Sequence, residues 1–153
     1  MGPQGTLAAS RADSQWPLGR LRNTGGKLVI GRNDNNFYTI NFAGSIDDLV
    51  LDLGEANSDL GLTQNLLVNN TLTITHIRSL NGPGVMKVGG TVNGNDVSVD
   101  GSAFVSLVGS ADQTLTGSGS LKNLNVAKTG GDVVLPSDFF LNANGSLTGT
   151  GRI

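Results

Sequence analysis

Few side chains in this sequence are equipped for chemistry, and the densest group of them is acidic: Asp47 and Asp48, with Asp52 and Asp59 close behind. Neighbouring carboxylates on an extended segment can hold a divalent cation, or act as general acid and general base at a glycosidic bond. The plainer reading is that of solvated turn acids, because each one punctuates an apolar run. The single His, His76, has no acid at adjacent positions and reads as a surface or corner residue. Without any Cys there is no thiolate to serve as nucleophile or metal ligand. No catalytic set, metal or cofactor is expected.

Other residues are suited to contact. Phe37-Tyr38 and Phe139-Phe140 are adjacent aromatic pairs, and a strand turns one member of each pair inward and the other outward. That leaves Tyr38 or Phe140 as a point of glycan or partner contact. Residues 1–22 hold the only Trp, Trp16, with Leu18, Arg11, Arg20 and Arg22, and show no alternating pattern. They read as an irregular arm or linker, with Trp16 and Leu18 available to dock on a neighbouring subunit. Thr71-Leu-Thr-Ile-Thr75 and Thr114-Leu-Thr116 invite comparison with flat Thr rows that order water. Read along the chain the two runs are out of register, which leaves Thr as a residue that suits an outward strand position.

The elements that must carry these residues follow from composition. The chain has 153 residues, 23 of them Gly, 37% hydrophobic and only 14% charged, and its sixteen Asn outnumber its nine Ala, all of which favours turns over helix interiors. A net charge of −2 is too weak, and of the wrong sign, for a binder of nucleic acid or anionic membrane. No run approaches the roughly 18 apolar residues of a membrane span, and the N-terminus lacks the apolar core of a signal peptide. From Lys27 onward short apolar runs of period two follow one another, as in Lys27-Leu-Val-Ile30, Asp48-Leu-Val-Leu-Asp52, Val85-Met-Lys-Val88, Phe104-Val-Ser-Leu-Val108 and Asp132-Val-Val-Leu135. Twelve such runs with turn-sized gaps predict an all-β protein.

A shift of 75 residues lays Thr39–Ser45 on Thr114–Ser120 and Leu49/Leu51 on Leu124/Val126. With two compensating gaps it continues to Leu66–Asn69 on Phe139–Asn142 and Thr71–Thr75 on Ser146–Thr150, so that 39–75 repeats as 114–150. A repeat of that length with five or six strands is three or four coils of about 19–25 residues each. The prediction is a right-handed parallel β-helix, a β-solenoid of about six coils over 23–153, with Gly and Asn at its corners and aliphatic ladders inside.

The stretch Thr114-Leu-Thr-Gly-Ser-Gly-Ser-Leu-Lys-Asn-Leu-Asn-Val-Ala-Lys-Thr-Gly-Gly-Asp-Val-Val-Leu135 resembles repeats of large secreted bacterial surface proteins. Leu80–Gly94 is similar to the glycine-punctuated coils of autotransporter passengers and filamentous-haemagglutinin-like adhesins. The resemblance covers roughly 27–153. It implies a stalk, adhesin or surface-layer element outside the cell, with no catalytic residues to carry over. Separately, the open strand edges of an uncapped solenoid predict head-to-tail or lateral self-association, and an outward Tyr38 or Phe140 predicts contact with surface glycans. Gly89-Gly-Thr-Val-Asn-Gly-Asn-Asp-Val-Ser-Val99 resembles a calcium-binding β-roll nonapeptide. Ser98 departs from that pattern at its apolar position and no tandem copy follows, so a structural turn is expected. The second repeat copy stops at Ile153, part-way into the segment equivalent to the one after Thr75, which predicts a longer parent chain or an end covered by a neighbour. The competing functional class is a carbohydrate-binding or carbohydrate-cleaving β-helix, similar to phage tailspikes or polysaccharide lyases, with Asp47, Asp48 and Asp52 as its acids.

Overall fold

The computed structural model describes residues 6–9, 15–16, 27–31, 37–40, 43–52, 59–75, 77–94, 97–136, 139–149 and 152; for 6–9, 15–16, 31, 37–38, 97–98 and 139–147 it describes the backbone alone. Among these residues there are strands and no helix: β1 (Thr6–Ala9), β2 (Gln15–Trp16), β3 (Lys27–Gly31), β4 (Phe37–Ile40), β5 (Gly44–Asp52), β6 (Asp59–Leu62), β7 (Leu66–Ile74), β8 (Ser79–Asn81), β9 (Val85–Val88), β10 (Thr91–Gly94), β11 (Val97–Val99), β12 (Phe104–Gly109), β13 (Gln113–Thr116), β14 (Gly119–Lys128), β15 (Val133–Val134) and β16 (Phe139–Gly149).

Every strand pairing is parallel, which requires the chain to return to the same edge in the same direction each time. Thr6 pairs with Lys27, Lys27 with Asp48, Asp48 with Thr71 and Thr71 with Thr91, so one circuit takes about twenty residues. The result is a β-solenoid of about 5 turns with three faces. Face A stacks β1, β3, the second half of β5, the second half of β7, β10, β13 and β15. Face B stacks the first halves of β5 and β7, then β9, β12 and the second halves of β14 and β16. Face C stacks β2, β4, β6 and β8, is joined to β11 by the Ser79–Asp100 bridge, and continues through the first halves of β14 and β16. The solenoid has about 5 turns where six coils were expected.

Alternation within each strand puts one set of side chains into the narrow interior. Leu28, Leu49, Leu72, Val92 and Leu115 stack behind face A; Ile46, Val68, Val88, Leu107 and Val126 stack behind face B, and all of them are buried. Each such side chain, once enclosed, contributes about 1.5–3 kcal/mol. The corners are sewn by backbone hydrogen bonds to the preceding coil, including Gly84 N–H to Leu62 O (2.9 Å) and Ala103 N–H to Leu80 O (3.0 Å). Two corners are rounded without a break in the strand. β5 against β7 shifts register between Ile46 and Asp48, and β14 against β16 shifts between Leu121 and Asn123. Within the expected arm of residues 1–22, Thr6–Ala9 pairs with β3 and Gln15–Trp16 with β4, while Leu18 lies outside the described residues.

Candidate functional site

The acids that looked closest in sequence are spread over the solenoid. Asp47 sits at the bulge of β5, where Asn69 of the next coil donates its side-chain N–H to the carboxylate at 2.9 Å. Asp48 and Asp52 share the outer side of face A, with Leu49 and Leu51 pointing inward between them. Four residues along a strand separate them by about 13 Å, well beyond the roughly 5–9.5 Å over which two carboxyls share the work at a glycosidic bond. Asp59 is on face C, in β6, and is fully engaged there. Arg78 donates to it from Nε, at 2.8 Å, and from Nη2, and the Ser79 hydroxyl donates to the same carboxylate at 2.5 Å. These contacts, Arg78 first, hold the Asp59 carboxyl below the ordinary carboxylate range against the opposing effect of its partial burial. Asn81 extends the group by donating to the Ser79 hydroxyl at 2.6 Å.

Three of the proposed contact residues have their backbone on face C: Trp16 pairs in register with Ile40, Tyr38 with Leu60, and Phe140, in the later coils, with Ser120. Their side chains, like Leu18 and His76 as a whole, lie outside the described residues. The calcium-like stretch is divided between β10 on face A and β11 on face C, and its Asn95 and Asp96 are likewise outside. Among the described residues there is no group of three or more His, Cys, Asp or Glu that could hold a metal ion.

What the structure does assemble is a set of polar ladders running from coil to coil. On face B the Thr148 hydroxyl donates to Asn125 (2.9 Å), whose amide donates to the buried Ser106 hydroxyl (3.0 Å). At the turn between faces B and A, Gln113 and Lys128 are both buried. Gln113 donates its amide hydrogens to Val88 O (2.8 Å) and Gly90 O (2.9 Å). Lys128 donates its ammonium hydrogens to Ala111 O (2.6 Å) and to the Gln113 side-chain carbonyl (2.9 Å). Sequence reasoning missed this cluster although the signal was present, since Lys128 continues the inward phase of Leu124 and Val126. Asn123 works in the same way by donating to Gly101 O (3.0 Å).

Face A holds the other feature that the linear sequence concealed. Thr71 pairs with Thr91 and Thr73 with Asn93; Val92 then pairs with Leu115 and Asn93 with Thr116, which carries Thr114 into line with Thr91. The two Thr runs expected to be out of register are therefore in register, joined through a coil, Thr91-Val-Asn93, that supplies the missing row. The expectation failed because coil lengths of 20 and 23 residues separate the three rows, so a fixed offset does not align them.

Comparison with protein-family models, with curated proteins and with solved structures finds no match for this chain.

Proposed function

We propose that this chain is a non-catalytic structural or adhesive β-solenoid module that works outside the cell as a stiff element, associating with itself end to end. The observation that supports the reading most is where the polar side chains are spent. Asn69, Ser79, Ser102, Gln113, Asn123, Asn125 and Lys128 each bond to a neighbouring coil. Such investment in coil-to-coil bonds suits a rod whose task is its own persistence. The likeness of Leu80–Gly94 and Thr114–Leu135 to coils of autotransporter passengers and filamentous-haemagglutinin-like adhesins favours the cell surface as its place of work. End-to-end association would proceed by strand addition at open coil edges, the contact that parallel ladders already make inside the molecule.

Five turns stacked at about 4.8 Å give a rod of about 24 Å, so assembly is readily seen. Negative-stain microscopy and sedimentation velocity over a concentration series are expected to show rods several times that length. Discrete particles of one protomer at every concentration would overturn self-association. Cleavage of acidic polysaccharides that is abolished by Asp48→Asn would overturn the non-catalytic part.

A further inference from the structure

Three successive coils of face A present an uncharged lattice on their outer side, five Thr with their hydroxyl and methyl groups and one Asn with its amide. One column is Thr71, Thr91, Thr114 and the other is Thr73, Asn93, Thr116. Between the columns Leu72, Val92 and Leu115 are buried, so the flanking residues share the outward phase, and Thr114 is openly exposed. The corresponding outer column of face B reads Leu67, Lys87, Ser106, Asn125, with a different residue in every coil. On face A the charged outer residues Lys27 and Asp48 stand in the coils before the lattice, and Val134 follows it.

The physics of such a lattice is specific. Strands stack at about 4.8 Å and alternate residues along a strand lie about 6.7 Å apart, so the five hydroxyls and the Asn93 amide form a rectangular net fixed by the backbone. β-Branched Thr is stiff at its first side-chain torsion, and the net therefore loses little freedom on binding. Its two repeats are close to oxygen repeats along perpendicular directions of hexagonal ice. Each Thr can anchor one water by its hydroxyl while its methyl occupies a gap in the cage. A charged ligand finds no counter-charge here, and the described outer residues of this face include no aromatic ring on which a sugar could stack.

We propose that the Thr71–Thr116 lattice on face A binds the ordered water surface of ice, an activity separate from any role of the rod as a structural element. The test is ice shaping and inhibition of ice recrystallisation by the purified full chain, with Thr91→Lys at the centre of the lattice and Thr129→Lys, the same charge change at an exposed turn, as the control. Wild type and Thr129→Lys are expected to facet growing crystals and keep annealed crystals small, and Thr91→Lys to lose both effects with an unchanged far-ultraviolet circular dichroism spectrum. Thr114→Lys, at the exposed end of the net, serves if Thr91→Lys does not fold. Round crystals that coarsen as in buffer with wild type would overturn the proposal. So would full activity of the folded lattice variants, or a lateral dimer abolished by them while ice growth is untouched.

Discussion

Gly101→Ala and Gly109→Ala together measure how tightly the coils are stacked at a corner. Both glycines have positive φ, +114° and +99°, where an L side chain is strained. They differ in what lies in front of the missing Cβ. At Gly109 the nearest atom is Gly89 O at 3.9 Å, an ordinary contact. At Gly101 a Cβ would lie 2.0 Å from Leu80 O and 2.6 Å from Leu80 C, in the coil before. That carbonyl cannot swing aside freely, because it accepts the Ala103 N–H at 3.0 Å and Leu80 itself is buried. Gly109→Ala therefore carries the backbone strain alone, about 1–3 kcal/mol. Gly101→Ala adds displacement of the neighbouring coil and loss of a corner hydrogen bond, for a total of about 3–5 kcal/mol. Equilibrium urea unfolding followed by circular dichroism reads both, and thermal unfolding gives a second measure at about 2–4 °C per kcal/mol for a chain of this size. Equal losses in the two variants, or a smaller loss at Gly101, would refute the claim that the corner is closed by direct backbone apposition.

Two further outcomes follow from the polar contacts. Lys128→Met keeps the volume of the buried stem but leaves Ala111 O and the Gln113 carbonyl without their donor, and the expected loss is about 1–3 kcal/mol in urea unfolding; an unchanged midpoint would mean that water replaces the ammonium. Asp59 has its folded pKa depressed below the ordinary 3.8 by Arg78, so its contribution to stability is present above about pH 4 and is lost as pH falls through the folded value. Thermal midpoints measured from neutral pH down into acid are expected to fall less steeply for Arg78→Gln than for wild type, and parallel profiles would show the pair to be inconsequential.

The all-β class and the stacking of coils were legible because the inward residues keep period two through most of the chain. Val85–Val88, Phe104–Gly109 and Gln113–Thr116 form strands where the alternation predicts them. Strands β6, β8 and β10 were not legible: Asp-Leu-Gly-Leu, Ser-Leu-Asn and Thr-Val-Asn-Gly are short and polar or Gly-bearing, and they are strands because the coils on either side supply their partners. The site residues were harder still. Asp47 and Asp48 are neighbours in sequence, yet Asp47 is drawn to Asn69 at the bulge while Asp48 stands on the outer side of face A. Conversely, Thr71 and Thr114 are far apart in sequence and share a column. Solenoid geometry converts a separation of about one coil into adjacency, and unequal coil lengths hide that conversion from a fixed-offset reading.

The 75-residue repeat has a structural meaning that its sequence alone did not show. Gly44–Leu51 and Gly119–Val126 match residue for residue, and both are bent strands with a register shift at the bend and the same buried positions, Ile46, Leu49, Leu51 and Leu121, Leu124, Val126. They turn different corners. β5 passes from face B to face A, whereas β14 passes from face C to face B. The rest of the repeat agrees, since Thr39 is on face C and its match Thr114 on face A, and Leu66 is on face B and its match Phe139 on face C. The repeat therefore spans three turns and two further faces. Sequence fit to one face could be reused on another because the three faces enclose the same narrow aliphatic interior, so inward Leu, Val and Ile satisfy any of them. Outward residues are released from that constraint at each rotation. This accounts for how three successive coils of face A can carry five Thr and one Asn on their outer side while the equivalent positions of face B carry Leu67, Lys87, Ser106 and Asn125: the same interior serves through the shift, and the exterior is free to differ face by face.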